Sequence, residues 1–138
     1  MITKEFLRKV VTLGNKLAKG NRNKSEAFKK AWVLVRTGRI ELPVKGVTFG
    51  NRQEALRRLS FYNPRYVYAV MVPETENQFD PTAVAVKVMT SNGKGIYHLG
   101  YLPKEETALA SVCKISSIRV LEGDVFGARI LLKVSGGN

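Results

Sequence analysis

The chain has 138 residues, 44% of them hydrophobic and 25% charged, which is the composition of one globular domain and not of a disordered or collagen-like segment. Its 23 Lys+Arg against 11 Asp+Glu leave a net charge of +12, so the chain repels itself and attracts polyanions, nucleic acid before anionic membrane. A single Cys (Cys113) and a single His (His98) exclude an internal disulfide and a Cys/His zinc site, and no apolar run approaches the roughly 20 residues of a membrane span.

The first third carries most of the charge. Residues 1–45 hold 12 Lys+Arg and three acids, net +9, whereas residues 46–138 hold 11 Lys+Arg and eight acids, net +3. The opening residues 1–9 have no continuous apolar stretch of the signal-peptide kind, and a cytoplasmic location is the expectation. Phe6, Val10, Leu13 and Leu17 recur every three or four residues and predict a helix over 3–19. Gly14 lies inside it, at a cost of about 1 kcal/mol relative to Ala. Gly20–Asn23 reads as a polar loop, and Ser25 followed by Glu26 opens a second helix over 25–37. Its inward face is Phe28, Ala31, Trp32 and Val35, and Gly38 ends it. Residues 1–43 thus form a basic N-terminal helical segment, packed on or appended to the remainder of the chain. Its Lys and Arg side chains make either a solvated face or a phosphate-contacting one. A helix-turn-helix is not favoured, because the loop is too long and no third helix completes the core.

After Pro43 the pattern turns to strands. Val44–Phe49 is short, β-branched and alternating. Arg52–Ser60 is a short helix with Ala55, Leu56 and Leu59 inward, and Tyr66–Val72 is a strand. A polar turn over 73–81 leads to a strand at Ala83–Met89. Asn92-Gly93 is a strong hairpin signal before a returning strand at Gly95–Leu102. Lys104–Cys113 is helical, and two last strands, 115–121 and 125–134, are joined through Glu122-Gly123-Asp124. The fold expected is mainly β with helices (α+β). Residues 44–138 form a small OB-like six-stranded β-barrel carrying two short helices, preceded by the N-terminal helical pair.

Three segments stand out together: Gly46-Val47-Thr48-Phe49, then Asn77-Gln78-Phe79-Asp80-Pro81-Thr82-Ala83-Val84-Ala85-Val86, then Leu99-Gly100-Tyr101-Leu102-Pro103-Lys104-Glu105. Over about 44–134 this series resembles the HIRAN domain family. The resemblance implies an OB-type barrel that binds single-stranded DNA at a free 3′ end, with aromatic rings holding the last bases and a carboxylate accepting a hydrogen bond from the 3′-hydroxyl. Carried over by motif position, Phe49 is the first pocket aromatic and Asn77, Phe79 and Asp80 supply the Asn-x-aromatic-Asp element. Asp80 is then the carboxylate, Tyr101 stands in a His position, and Lys104 is the phosphate-contacting lysine. Thr48 stands where the pattern has Arg, and Phe49 and Phe79 replace tyrosines.

The residue chemistry agrees without the family. Any flat ring stacks on a base, and a carboxylate beside phosphates favours a terminal hydroxyl while repelling a continuing strand. Each residue also has an ordinary structural role open to it. Asn77 and Asp80 are common turn residues, Phe49 and Phe79 suit a barrel plug, and Tyr101 suits a strand. The expectation is a non-enzymatic DNA-binding module with no cofactor, no metal and no membrane partner, working on single-stranded DNA and alongside a larger DNA-processing enzyme. A protein-interaction adaptor of phage or mobile-element type is the alternative. Glu74, Glu76 and Asp80 in one turn leave a third reading, a divalent-metal hydrolase or nuclease.

Overall fold

The structure is a computed structural model that describes residues 3–19, 23–90 and 95–134. Two helices come first, α1 (Lys4–Lys19) and α2 (Lys24–Thr37). The Thr3 hydroxyl accepts from the Phe6 N–H (3.0 Å) at the start of α1. Asn23, not Ser25, caps α2, its Oδ1 accepting from the Glu26 N–H at 3.2 Å. Gly38, at φ 76°, closes α2 in the left-handed conformation. Val10, Leu13 and Leu17 are buried as the periodicity predicts. On α2 the fully buried line is Ala27, Ala31 and Leu34, one position round from the expected face, with Phe28, Trp32 and Val35 half-buried beside it. The shift comes from packing on two sides, since α2 lies between α1 and the first strand. Phe6 meets Trp32 edge to face at 5.0 Å, and the Phe28 ring lies against Gly14 so closely that a Cβ there would overlap it. The glycine that weakens α1 locally is what lets the two helices approach.

The strands are β1 (Arg39–Pro43), β2 (Val67–Pro73), β3 (Val84–Thr90), β4 (Ile96–Tyr101), β5 (Cys113–Leu121) and β6 (Gly127–Val134), with α3 (Arg52–Leu59) between β1 and β2. Short 3-10 turns occupy Pro64–Tyr66 and Lys104–Ser111. The second of these is the helical stretch expected at 104–113, wound as a 3-10 helix and two residues shorter. The Asn92-Gly93 hairpin and most of the 20–23 loop lie outside the described residues.

The expected barrel does not form. The strands make two three-stranded antiparallel sheets, ordered β1-β6-β5 and β2-β3-β4. The first strand is also displaced: it lies at 39–43, inside the stretch read as helical, and not at 44–49. Ile40 and Leu42 alternate with Glu41, whose carboxylate meets Arg129 (2.5 Å) and Arg119 (3.1 Å) across the sheet, and Pro43 is tolerated because β1 is an edge strand. The stretch read as a strand joins the sheets instead. Val44 N–H donates to the Ala128 carbonyl (2.9 Å), and Lys45 exchanges both backbone hydrogen bonds with Tyr101 (2.8 and 2.9 Å). Gly46 (φ 73°) and Gly50 (φ 57°) then turn the chain aside before further pairing develops. Gly100 is required at this junction, because any Cβ would run into the Lys45 carbonyl. Buried side chains of α1, α2, α3 and both sheets belong to one hydrophobic core, including Leu17, Leu34, Leu56, Val86, Leu99 and Ile130. The fold is α+β.

Candidate nucleic-acid interface

Five of the six expected site residues, Asn77, Phe79, Asp80, Tyr101 and Lys104, line one open cavity of about 500 Å³, together with Lys45. The loop between β2 and β3 supplies the first three. Tyr101 ends β4, and Lys104 opens the 3-10 turn after it.

The loop is tied by its own side chains. Asn77 Oδ1 accepts from the Phe79 N–H (2.9 Å) and the Asp80 N–H (3.0 Å), and its Nδ2 donates to Glu74 (3.1 Å). Asn77 therefore uses its polar atoms within the loop and acts as its brace. Asp80 Oδ1 accepts from the Thr82 N–H (2.9 Å) and hydroxyl (2.6 Å). These bonds, helped by nearby Lys104, hold the Asp80 carboxyl below its ordinary range, so it is ionised and accepts only. Among the described residues no hydrogen bond reaches its Oδ2. The brace leaves Phe79 projecting with 99% of its surface exposed. A whole phenyl ring in water next to a cavity offers an unoccupied stacking face.

Tyr101 is fixed from the other side. Its hydroxyl donates to Glu74 Oε1 (2.9 Å), and this bond and the one from Asn77 lower the Glu74 pKa. Burial, then Glu74, raise that of Tyr101, which keeps its proton. His98 meets the Tyr101 ring edge to face at 4.9 Å, and its Nε2 lies 3.0 Å from the Gly100 carbonyl. Burial and then Arg52 lower the His98 pKa, so the ring is neutral at pH 7.

Phe49 does not enter this cavity. It sits in the turn after Gly46, 68% exposed, in a neighbouring hollow of about 320 Å³ that also includes Arg52 and His98. Arg52 joins the two regions, with its guanidinium carbon 5.8 Å from the Phe49 ring centre and 5.5 Å from that of Tyr101. Its Nη1 also donates to the Gly46 carbonyl at 2.6 Å. Gln53 completes the turn's support, with Nε2 donating to the carbonyls of Val47 (2.9 Å) and Phe126 (2.8 Å) and Oε1 accepting from the Phe126 N–H (2.8 Å).

Arg52 and Lys45 join this candidate site without being singled out by the sequence pattern, and Glu74, read there only as a possible metal ligand, instead anchors Tyr101 and Asn77. Arg52 reads as an ordinary helix-opening residue, and only its place three residues after Phe49 hints that it returns to the turn. Among the described residues no three His, Cys, Asp or Glu side chains are grouped as a metal ion requires, and Glu74 is engaged by Tyr101 and Asn77. No helix among them is long and apolar enough to cross a membrane. Compared with known proteins, the chain matches no family model, no curated protein and no solved structure.

Proposed function

We propose that the chain is a binding module for single-stranded DNA that receives a strand end in the cavity between the 77–80 loop and Tyr101. The observation that carries this reading is the pairing of a fully exposed ring, Phe79, with an ionised carboxylate, Asp80, whose Oδ2 takes no hydrogen bond from the described residues, beside Lys104 and Lys45. Phe79 and Tyr101 offer stacking faces, Phe49 and Arg52 extend the platform, and Lys104 and Lys45 meet phosphate. The free oxygen of Asp80 accepts from a terminal 3′-hydroxyl and repels a phosphate in the same place. The resemblance of residues 44–134 to the HIRAN family supports the same assignment, as does the +12 charge. In this reading the chain is not an enzyme; it delivers or holds an end for a larger DNA-processing protein.

The test is a fluorescence titration of a labelled oligonucleotide with the unaltered chain and with Phe79→Ala. A lost stacking contact weakens binding by about 1–3 kcal/mol, roughly five- to 150-fold. The unfolding midpoint should not move, because the ring touches little protein. Unchanged affinity in Phe79→Ala, or no binding by the unaltered chain at low salt, removes the proposal.

A further inference from the structure

The cavity at Asp80 does not end at Lys104. Lys104, Ala83 and Thr107 also line a second and larger hollow, of about 680 Å³, whose far wall is the last turn of α1 with Lys16 and Lys19. Among the described residues no acidic side chain lines it, and apart from the lysines its wall is mostly Pro, Ala, Val, Thr and Ser. Lys16, Lys19 and Lys104 are all exposed, and among the described residues none has an acidic partner within ion-pair distance. Three other lysines of the helical pair are engaged, Lys9 with Glu5, Lys29 with Glu26, and Lys30 with the buried Glu106, whereas Lys4 and Lys24, at the starts of α1 and α2, are like Lys16 and Lys19 in having no acidic partner among the described residues. What sets Lys16, Lys19 and Lys104 apart is that the three line one hollow, where α1 meets the 104–111 turn.

We propose that this second hollow is the track of the sugar–phosphate backbone. A strand whose 3′ end sits at Asp80 passes Lys104 and leaves over the C-terminal end of α1, where Lys16 and Lys19 contact its phosphates on the 5′ side. The inference rests on the end-binding reading above and adds the direction of the strand and the two residues outside the 44–138 segment that hold it. It also gives α1 a role in binding beyond packing. The last turn of a helix favours cations, so the lysines lie there at no cost to the fold.

The experiment is a salt titration of a 12-nucleotide oligonucleotide with a free 3′-hydroxyl, comparing the unaltered chain with K16Q/K19Q and with K24Q/K29Q, which removes the same charge from α2. Each phosphate contact to a single strand contributes about 0.7 to the slope of log affinity against log salt. K16Q/K19Q should lower that slope by about 1.4 and weaken binding by about 25-fold at 0.1 M salt, while K24Q/K29Q stays within about twofold of the unaltered chain. Equal losses in both variants mean diffuse attraction only and overturn the track, as does an unchanged slope in K16Q/K19Q. Either result leaves the end-binding reading standing if Phe79→Ala still loses affinity. Failure of the unaltered chain to bind overturns both.

Discussion

At the scale of the residue, the contrast between Asn77 and Asp80 decides what the loop does. Both are turn residues by type, and both bond to their own loop, but Asn77 uses both ends of its amide there while Asp80 keeps one oxygen open. Asp80 carries a lowered pKa from the Thr82 bonds, so its charge is fully present above the ordinary carboxyl range and is lost only as the pH falls below it. DNA affinity should therefore stay flat between pH 7 and pH 5 as far as Asp80 is concerned. His98 behaves differently. Burial depresses its pKa from the ordinary value near 6.5, so the stability it contributes is present above that value and is lost as the pH falls through the lower folded-state value. Urea unfolding should show a midpoint that declines from pH 7 to pH 5, and His98→Gln should flatten the decline; an equal decline in the variant contradicts this assignment. Burial pushes the Cys113 thiol up to about 11, so it is protonated and inert in the folded chain.

At the scale of the element, Gly14 and the Lys30–Glu106 pair explain how the helical pair is joined to the rest. Gly14→Ala gains about 1 kcal/mol of helix propensity but drives a methyl group into the Phe28 ring, and overpacking of this kind costs about 1–3 kcal/mol. The expected net is a loss of about 1 kcal/mol in a denaturant titration, and a stabilised variant would show that the helices separate readily. Glu106 is 3% exposed, and its ion pair with Lys30 ties α2 to the 104–111 turn that carries Lys104. Lys30→Met leaves that carboxylate buried without its partner and should destabilise the chain by about 2 kcal/mol. The elements themselves are largely legible in the sequence: both N-terminal helices, α3 and five of the six strands fall within two residues of their expected bounds, because each rests on a long periodic or β-branched run. β1 is hidden, since five residues of alternating charge and Ile/Leu beside a proline resemble a helix tail as much as a strand. The stretch 44–49 has the composition of a strand, but two positive-φ glycines and the Gly100 crossing make it a junction. Five of the six positions singled out in the sequence do share one cavity. Phe49, placed in the same pocket by motif position, lies in a turn one hollow away. The placement of Lys16, Lys19, Lys45 and Arg52 beside these hollows depends on contacts between distant segments, which no local pattern carries.

At the scale of the whole molecule, the net charge of +12 divides into parts with different work. The cavity at Asp80 is nearly balanced, with Lys45 and Lys104 set against Asp80 and Glu105. The adjoining hollow has a mostly apolar wall edged by Lys16, Lys19 and Lys104, with no acid among the described residues. On the proposed reading, attraction and discrimination are separated in space: the hollow beside Lys16 and Lys19 would hold a strand, and the balanced cavity would read its end. Both hollows rest on one continuous core that runs from α1 to both sheets, with α1 packed against the 104–111 turn. The most direct test of end recognition is a binding comparison of three oligonucleotides of one sequence, carrying a 3′-hydroxyl, a 3′-phosphate or a circular backbone, at fixed low salt. The prediction is that the 3′-hydroxyl strand binds more tightly than the other two and that Asp80→Asn, which removes the carboxylate charge, narrows the gap. Equal affinity for all three by the unaltered chain would contradict it.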